Sequence, residues 1–165
     1  MPTSRLGLLP ILRLLESRTM SDRHPMYGDV LIPTDGSQRA DRAVEHGLEL
    51  AEDAGATVHA MNVVSERRFG ETPALSSYEL VFEKLAETGE TLTEDVAEAA
   101  RDRDLDATTT VVRGYPSEEI ASYADEHDVD LIVMGRTGAG DAESPHIGSV
   151  ADRVLRKANV AVSTV

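Results

Sequence analysis

Short, unbroken apolar runs alternate along this chain with longer segments in which apolar residues recur at helical spacing. The first run, Val30-Leu31-Ile32 within Asp29 to Pro33, has no polar position on either face. A strand of that kind belongs in a parallel sheet covered on both sides. It ends in Pro33-Thr34-Asp35-Gly36-Ser37, where Ser37 is suited to cap a helix with the stripe Ala40, Val44, Gly47, Leu48 and Ala51, closed by Gly55. A second strand is expected from Thr57 to Val63. The polar stretch from Ser65 to Leu75, with Gly70 and Pro73, follows as either a lid or an ordinary surface connection.

Helix two is predicted from Ser77 to Arg103, with Phe82, Leu85, Ala86, Gly89, Leu92, Val96 and Ala100 on one face. Strand three runs from Ala107 to Val112 and stops at Arg113-Gly114. Pro116-Ser117 opens helix three, whose Ile120, Ala121 and Ala124 face inward, and His127-Asp128 closes it. Strand four is Asp130 to Met134, helix four carries Val150, Ala151, Val154, Leu155 and Ala158, and strand five is Val160 to Val165. The alternation predicts an α/β fold with helices on both faces of a sheet and right-handed crossovers, although periodicity does not specify strand order. Residues 1–25 do not share the pattern. Leu6 to Leu15 is apolar but is broken by Pro10 and Arg13 and is too short to span a bilayer, and Glu16-Ser17-Arg18-Thr19 makes a poor cleavage site. The segment is expected to be a disordered extension, or to reflect a start assigned ahead of Met20 or Met26, with an amphipathic membrane-touching anchor as the lesser alternative.

The chemistry concentrates in Met134 to Val150. The apolar Leu131-Ile132-Val133-Met134 stops at Gly135, Gly138 follows, and Gly148-Ser149 opens the last helical segment. Glycines let backbone N–H groups approach an anion, and a helix N-terminus adds free donors and a partial positive charge. A strand, a glycine-rich loop and a helix start in that order suit a phosphate, although the same loop also serves as a plain tight connection. Ser149 offers its hydroxyl and N–H to a phosphate or caps the helix, and Arg136 and Thr137 lie within the loop. Gly138 and Gly148 are read as positions where a side chain meets ligand or where φ is positive. Asp35 either accepts hydrogen bonds from a ligand or forms an Asx turn that caps helix one.

The spacing Gly135, two residues, Gly138, nine residues, Gly148-Ser149, flanked by Val133-Met134 and Val150, resembles the ATP-binding branch of the universal stress protein family. The resemblance covers residues 26–165 as one domain. It implies a Rossmann-like five-stranded parallel sheet of order 3-2-1-4-5, akin to the adenine nucleotide alpha hydrolases, so that strands one and four flank a ligand crevice. It further implies ATP, with or without magnesium, held by Pro33, Thr34, Asp35, Val63, Met134, Gly135, Arg136, Gly138, Gly148, Ser149 and Val150, and a homodimer through the edge strand Val160 to Val165. The loop departs from the family in carrying Asp141, Glu143, Pro145 and His146, and carboxylates beside a triphosphate repel it. The alternatives are therefore a nucleotide-independent interaction protein of the same family or, last, an enzyme acting on a nucleotide-like substrate.

Size and composition narrow the remaining choices. At 165 residues without cysteine, the chain has room for one domain and no disulfide, zinc finger or thiol nucleophile, which suits a reducing cytoplasm. Acidic residues outnumber basic ones 30 to 16, for a formal charge of −14, so nucleic acid and anionic membrane are poor partners. There is no Gly-x-x-x-x-Gly-Lys-Ser/Thr loop, no Gly-x-Gly-x-x-Gly after strand one, no Gly-x-Ser-x-Gly elbow and no His-Glu-x-x-His. His46, His59 and His127 are read as structural or solvated. The run Asp125, Glu126, His127, Asp128, Asp130 is read as a solvated helix end, and a phosphoreceiver domain is excluded by Arg113-Gly114 after strand three and the lysine-free carboxyl end from Val160 to Val165. With no evident general base, binding with little or no turnover is expected. Lysine occurs only at Lys84 and Lys157, and so large an acidic excess points to a protein that works in high salt, where self-repulsion is screened; the alternative is an ordinary acidic protein. Thermal melting followed over a salt series is predicted to show loss of the folded signal at low salt, and a melting temperature indifferent to salt would refute salt adaptation.

Overall fold

The computed structural model describes residues 26–66, 75–139 and 146–165, so the expectations for residues 1–25, for most of the loop after Ser65 and for Asp141, Glu143 and Pro145 lie outside the described residues. The elements run β1 (Asp29–Pro33), α1 (Gln38–Ala54), β2 (Thr57–Ser65), α2 (Leu75–Arg101), β3 (Ala107–Gly114), α3 (Pro116–Glu126), β4 (Leu131–Met134), α4 (Ser149–Lys157) and β5 (Ala161–Thr164). All neighbouring strands are parallel, in the order β3-β2-β1-β4-β5. The winding thus reverses between β1 and β4, as the resemblance implies.

Both faces of the sheet are covered, because side chains alternate along each strand. Val30 and Ile32 of β1 and Leu131 and Val133 of β4 pack with Leu48 of α1 and Val96 and Ala100 of α2. Leu31, Ile132 and Met134 point the other way, onto Ile120 and Tyr123 of α3 and Val154 of α4. The α1 stripe is rotated slightly from expectation: Ala43 is fully buried while Val44 is only half-buried. The cause is the close seat of α1 on the sheet, where a side chain at Gly47 would come within 2.7 Å of Ile32 and 3.3 Å of Val133. On α2 the buried face includes Thr93 and Ala97, while Leu85, Ala86 and Leu92 are half-buried. Leu155, expected inside, is 44% exposed, since the nine-residue α4 buries only Ala151 and Val154 and packs chiefly on α3.

The amino-terminal end of the sheet is closed by polar contacts. His59 Nε2 lies 2.8 Å from Asp29 Oδ1, and its Nδ1 lies 3.0 Å from the Tyr123 hydroxyl, while His127 stacks on Tyr123. Asp130 Oδ2 accepts from the N–H groups of Gly28 and Asp29 at 2.7 and 3.0 Å. These contacts hold strands and α3 together, and they pair the buried His59, as a buried polar group requires. The Gly47→Val variant is predicted to lose about 1–3 kcal/mol of unfolding free energy by overpacking, which denaturant titration measures; an unchanged midpoint would mean that α1 is free to lift from the sheet.

Candidate functional site

At the carboxyl end of the sheet, the exit of β1 is locked from three sides. Thr34, 6% exposed, donates its N–H to the Met61 carbonyl at 2.8 Å, accepts from Asn62 Nδ2 on its own carbonyl at 2.8 Å, and accepts from the Gly36 N–H on Oγ1 at 3.3 Å. Gly36 then turns the chain at φ 74°, which favours glycine. Asp35 emerges from this turn with each carboxylate oxygen in use. Oδ1 accepts from the Ser37 N–H at 3.0 Å, the Asx turn, and Oδ2 accepts from the Ala139 N–H at 3.1 Å. The second bond crosses 104 residues of sequence and ties β1 to the glycine loop. Ser37 caps α1 through the Ala40 N–H at 3.2 Å.

Gly135, Gly138 and Gly148 are required by close approach, not by positive φ, which among the described glycines falls on Gly36, Gly55 and Gly114. A Cβ at Gly135 would stand 3.1 Å from the Arg39 carbonyl carbon, in the first turn of α1. At Gly138 it would meet Asp35 Oδ2 at 2.9 Å, and at Gly148 the Cα of Thr137 at 3.1 Å. Gly148 also donates its N–H to the Arg136 carbonyl at 2.8 Å, which closes the base of the loop. Gly148, not Ser149, is the N-cap of α4, and it brings no side-chain cap. The first intrahelical bond is Asp152 N–H to the Gly148 carbonyl, so the N–H groups of Ser149, Val150 and Ala151 have no intrahelical acceptor. Thr137 is 2% exposed and its Oγ1 is the buried side-chain oxygen without a hydrogen-bond partner among the described residues.

These pieces bound a cleft of about 400 Å³ lined by Pro33, Thr34, Asp35, Val63, Met134, Gly135, Gly138, Gly148, Ser149 and Val150, so ten of the residues singled out from sequence meet there. Arg136 does not line it: its backbone N–H donates to the Val165 carbonyl at 2.8 Å, extending the β4–β5 ladder. Sequence reasoning missed the far wall, where Asn62 of β2, Leu85, Thr88, Gly89 and Leu92 of α2 and Ile120 of α3 complete the enclosure. Asn62 had a signal, being the one polar residue in the run Ala60 to Val64. A Cβ at Gly89 would collide with the Asn62 side chain, so this glycine sets how near α2 comes to β2. Asp35 is the ionisable side chain in the cleft wall among the described residues.

The arrangement offers an apolar slot for a planar group, a carboxylate at its edge, and amide and hydroxyl donors for an anion. The residues fit an adenine nucleotide on those grounds, the unpaired Thr137 hydroxyl above all. They do not form a ready metal site, since both Asp35 oxygens already accept amide hydrogens and no group of three metal-ligating side chains occurs among the described residues. Within those residues no helix is long and apolar enough to cross a membrane.

Comparison with known proteins converges on one family. The model of the universal stress protein family matches residues 26–165. A universal stress protein of Methanocaldococcus jannaschii is 36% identical over 140 residues, covering 85% of this chain and 82% of that one. Among solved structures, UspA from Lactobacillus plantarum superposes with a TM-score of 0.77 at 25% identity, covering 84% and 97% of the two chains. A universal stress protein in complex with cAMP superposes with a TM-score of 0.55 at 26% identity, covering 84% and 96%. The sheet order, the glycine spacing and these matches agree, and the chain belongs to the universal stress protein family.

Proposed function

We propose that this protein binds an adenine nucleotide in the cleft between β1 and β4, with ATP as the form implied by the resemblance to the ATP-binding branch of the family, and that occupancy serves a stress-response or regulatory role with little or no hydrolysis. The observation that carries the reading is the Asp35–Ala139 hydrogen bond, which brings two motifs far apart in sequence to one enclosure. The adenine lies against Val63 and the apolar residues of α2 and α3. The ribose hydroxyls meet the remaining lone pairs of Asp35, and phosphate is taken by the loop amides, the Thr137 and Ser149 hydroxyls and the first turn of α4. The complex of a relative with cAMP supports the class of ligand. Against turnover stands the state of Asp35, the ionisable side chain of the cleft wall among the described residues: it is occupied by two amide hydrogens and is built to position, not to abstract a proton.

β5 pairs with β4 on one side and ends the sheet on the other, with Val165 37% exposed beside it. An open edge of this kind supports pairing with a second copy.

Calorimetric titration of ATP with magnesium is expected to give saturable binding to the wild type and a loss of about tenfold or more in affinity for Gly138→Val and Asp35→Ala, each first shown to be folded. The same samples are expected to release no phosphate. Wild-type protein that gives no heat, or a robust site-dependent ATPase, would overturn the corresponding half of the reading. Light scattering at micromolar concentration is expected to report a dimer, and a monomer alone would reject the edge-strand pairing.

A further inference from the structure

Asn62 lines the cleft from β2, and its amide is used on one side only. The residue is buried, 9% exposed, and Nδ2 donates to the Thr34 carbonyl at 2.8 Å. That bond fixes which way the amide points. A carbonyl accepts and does not donate, so the nitrogen must face Thr34 and Oδ1 is turned the other way, against Gly89 of α2. Oδ1 is an acceptor with two lone pairs, it keeps access to the cleft, and among the described residues no group donates to it. The facing helix has little to give. The N–H groups within α2 are spent along the helix, and the Thr88 hydroxyl donates to the Lys84 carbonyl at 2.9 Å. Gly89 brings no side chain, and any Cβ there would strike Asn62. Beside Leu85 and Leu92, the apolar lining is thus interrupted by one amide oxygen.

A ligand that covers this oxygen without donating to it leaves a buried acceptor unsatisfied, and the cost falls on binding. The purine bases differ in just this respect. Adenine carries an exocyclic amine, a donor, where guanine and hypoxanthine carry a carbonyl oxygen, an acceptor that would be set against another oxygen. A free amide could rotate to suit either base, but this one is held by Thr34 and cannot turn its nitrogen to the cleft without breaking that bond. We infer that Asn62 determines the choice of base: Oδ1 accepts from the exocyclic amine of adenine and disfavours oxopurines, while the bond from Nδ2 to Thr34 keeps the amide in the discriminating orientation. This inference rests on the nucleotide reading above and deepens it by assigning base selection to one side chain.

The test compares ATP, inosine triphosphate and purine riboside triphosphate, which has a hydrogen in place of the amine, each titrated with magnesium into wild type and Asn62→Leu. The three share their ribose and phosphates, so those contributions cancel between them. Wild type is expected to bind ATP about tenfold or more tightly than inosine triphosphate, with the purine riboside between. In folded Asn62→Leu the loss of the Thr34 anchor weakens all three alike, whereas the ratio of ATP to inosine triphosphate affinity is expected to fall to within about twofold of unity. A measurement on wild type alone covers the case in which the variant does not fold. The side-chain amide resonances of Asn62 are expected to shift further with saturating ATP than with saturating purine riboside triphosphate. Equal affinity of wild type for ATP and inosine triphosphate, a ratio retained in Asn62→Leu, or equal shifts of the Asn62 amide overturns the assignment while leaving nucleotide binding intact. No heat from any of the three overturns the nucleotide reading and this inference with it.

Discussion

The hydrogen bond from the Ala139 N–H to Asp35 is the contact on which the cleft depends. It joins the exit of the first strand to the loop after the fourth, and these two segments diverge because the sheet winding reverses between their strands. The base of the same loop is held by the hydrogen bond from the Gly148 N–H to the Arg136 carbonyl. Gly138 is glycine because any side chain there would push this carboxylate away. Of the readings the sequence allowed for Asp35, the Asx turn is made by its Oδ1, while its Oδ2 ties down the glycine loop.

Support for that contact comes from well-packed, ordinary structure. β1 is buried on both faces, so its exit point moves little, and the Thr34 peptide is held by Met61 and Asn62 of the neighbouring strand. Gly47 lets α1 sit hard against Ile32, and Gly135 lets the end of β4 pass under the first turn of the same helix. Close packing of this sort resists small displacements, which is what a loop of backbone donors needs in order to present them in fixed positions. The opposite end of the sheet is fastened by Asp29, His59, Tyr123 and Asp130, leaving the carboxyl end as the place where strands part and polar groups remain available.

The acidic composition bears on the cleft as well as on the surface. The chain has almost no lysine, and among the described residues the cleft wall follows the same bias. Backbone amides and a helix N-terminus attract an anion without a cationic side chain, so an acidic composition is compatible with the donors that this cleft presents.

Much was legible from the sequence. Unbroken apolar runs marked the central buried strands β1 and β4, helical stripes marked the four helices to within a few residues, and glycine spacing pointed to the loop, because these features depend on local backbone chemistry and on burial. Ten of the predicted site residues do line the cleft. What the tertiary structure decided was everything set by distance across the fold: that Asn62 holds Thr34, that α2 supplies a wall through Leu85, Thr88 and Leu92, that the peptide of Arg136 serves the sheet, and that Leu155 stays in solvent. The roles of Gly138 and Gly148 belong with these. Sequence suggests a positive φ or a ligand at a glycine, whereas here the reason is a neighbour brought near by the fold: the Asp35 carboxylate for one and the Thr137 backbone for the other. Local pattern specifies which elements form; close approach between distant segments specifies what each site residue does.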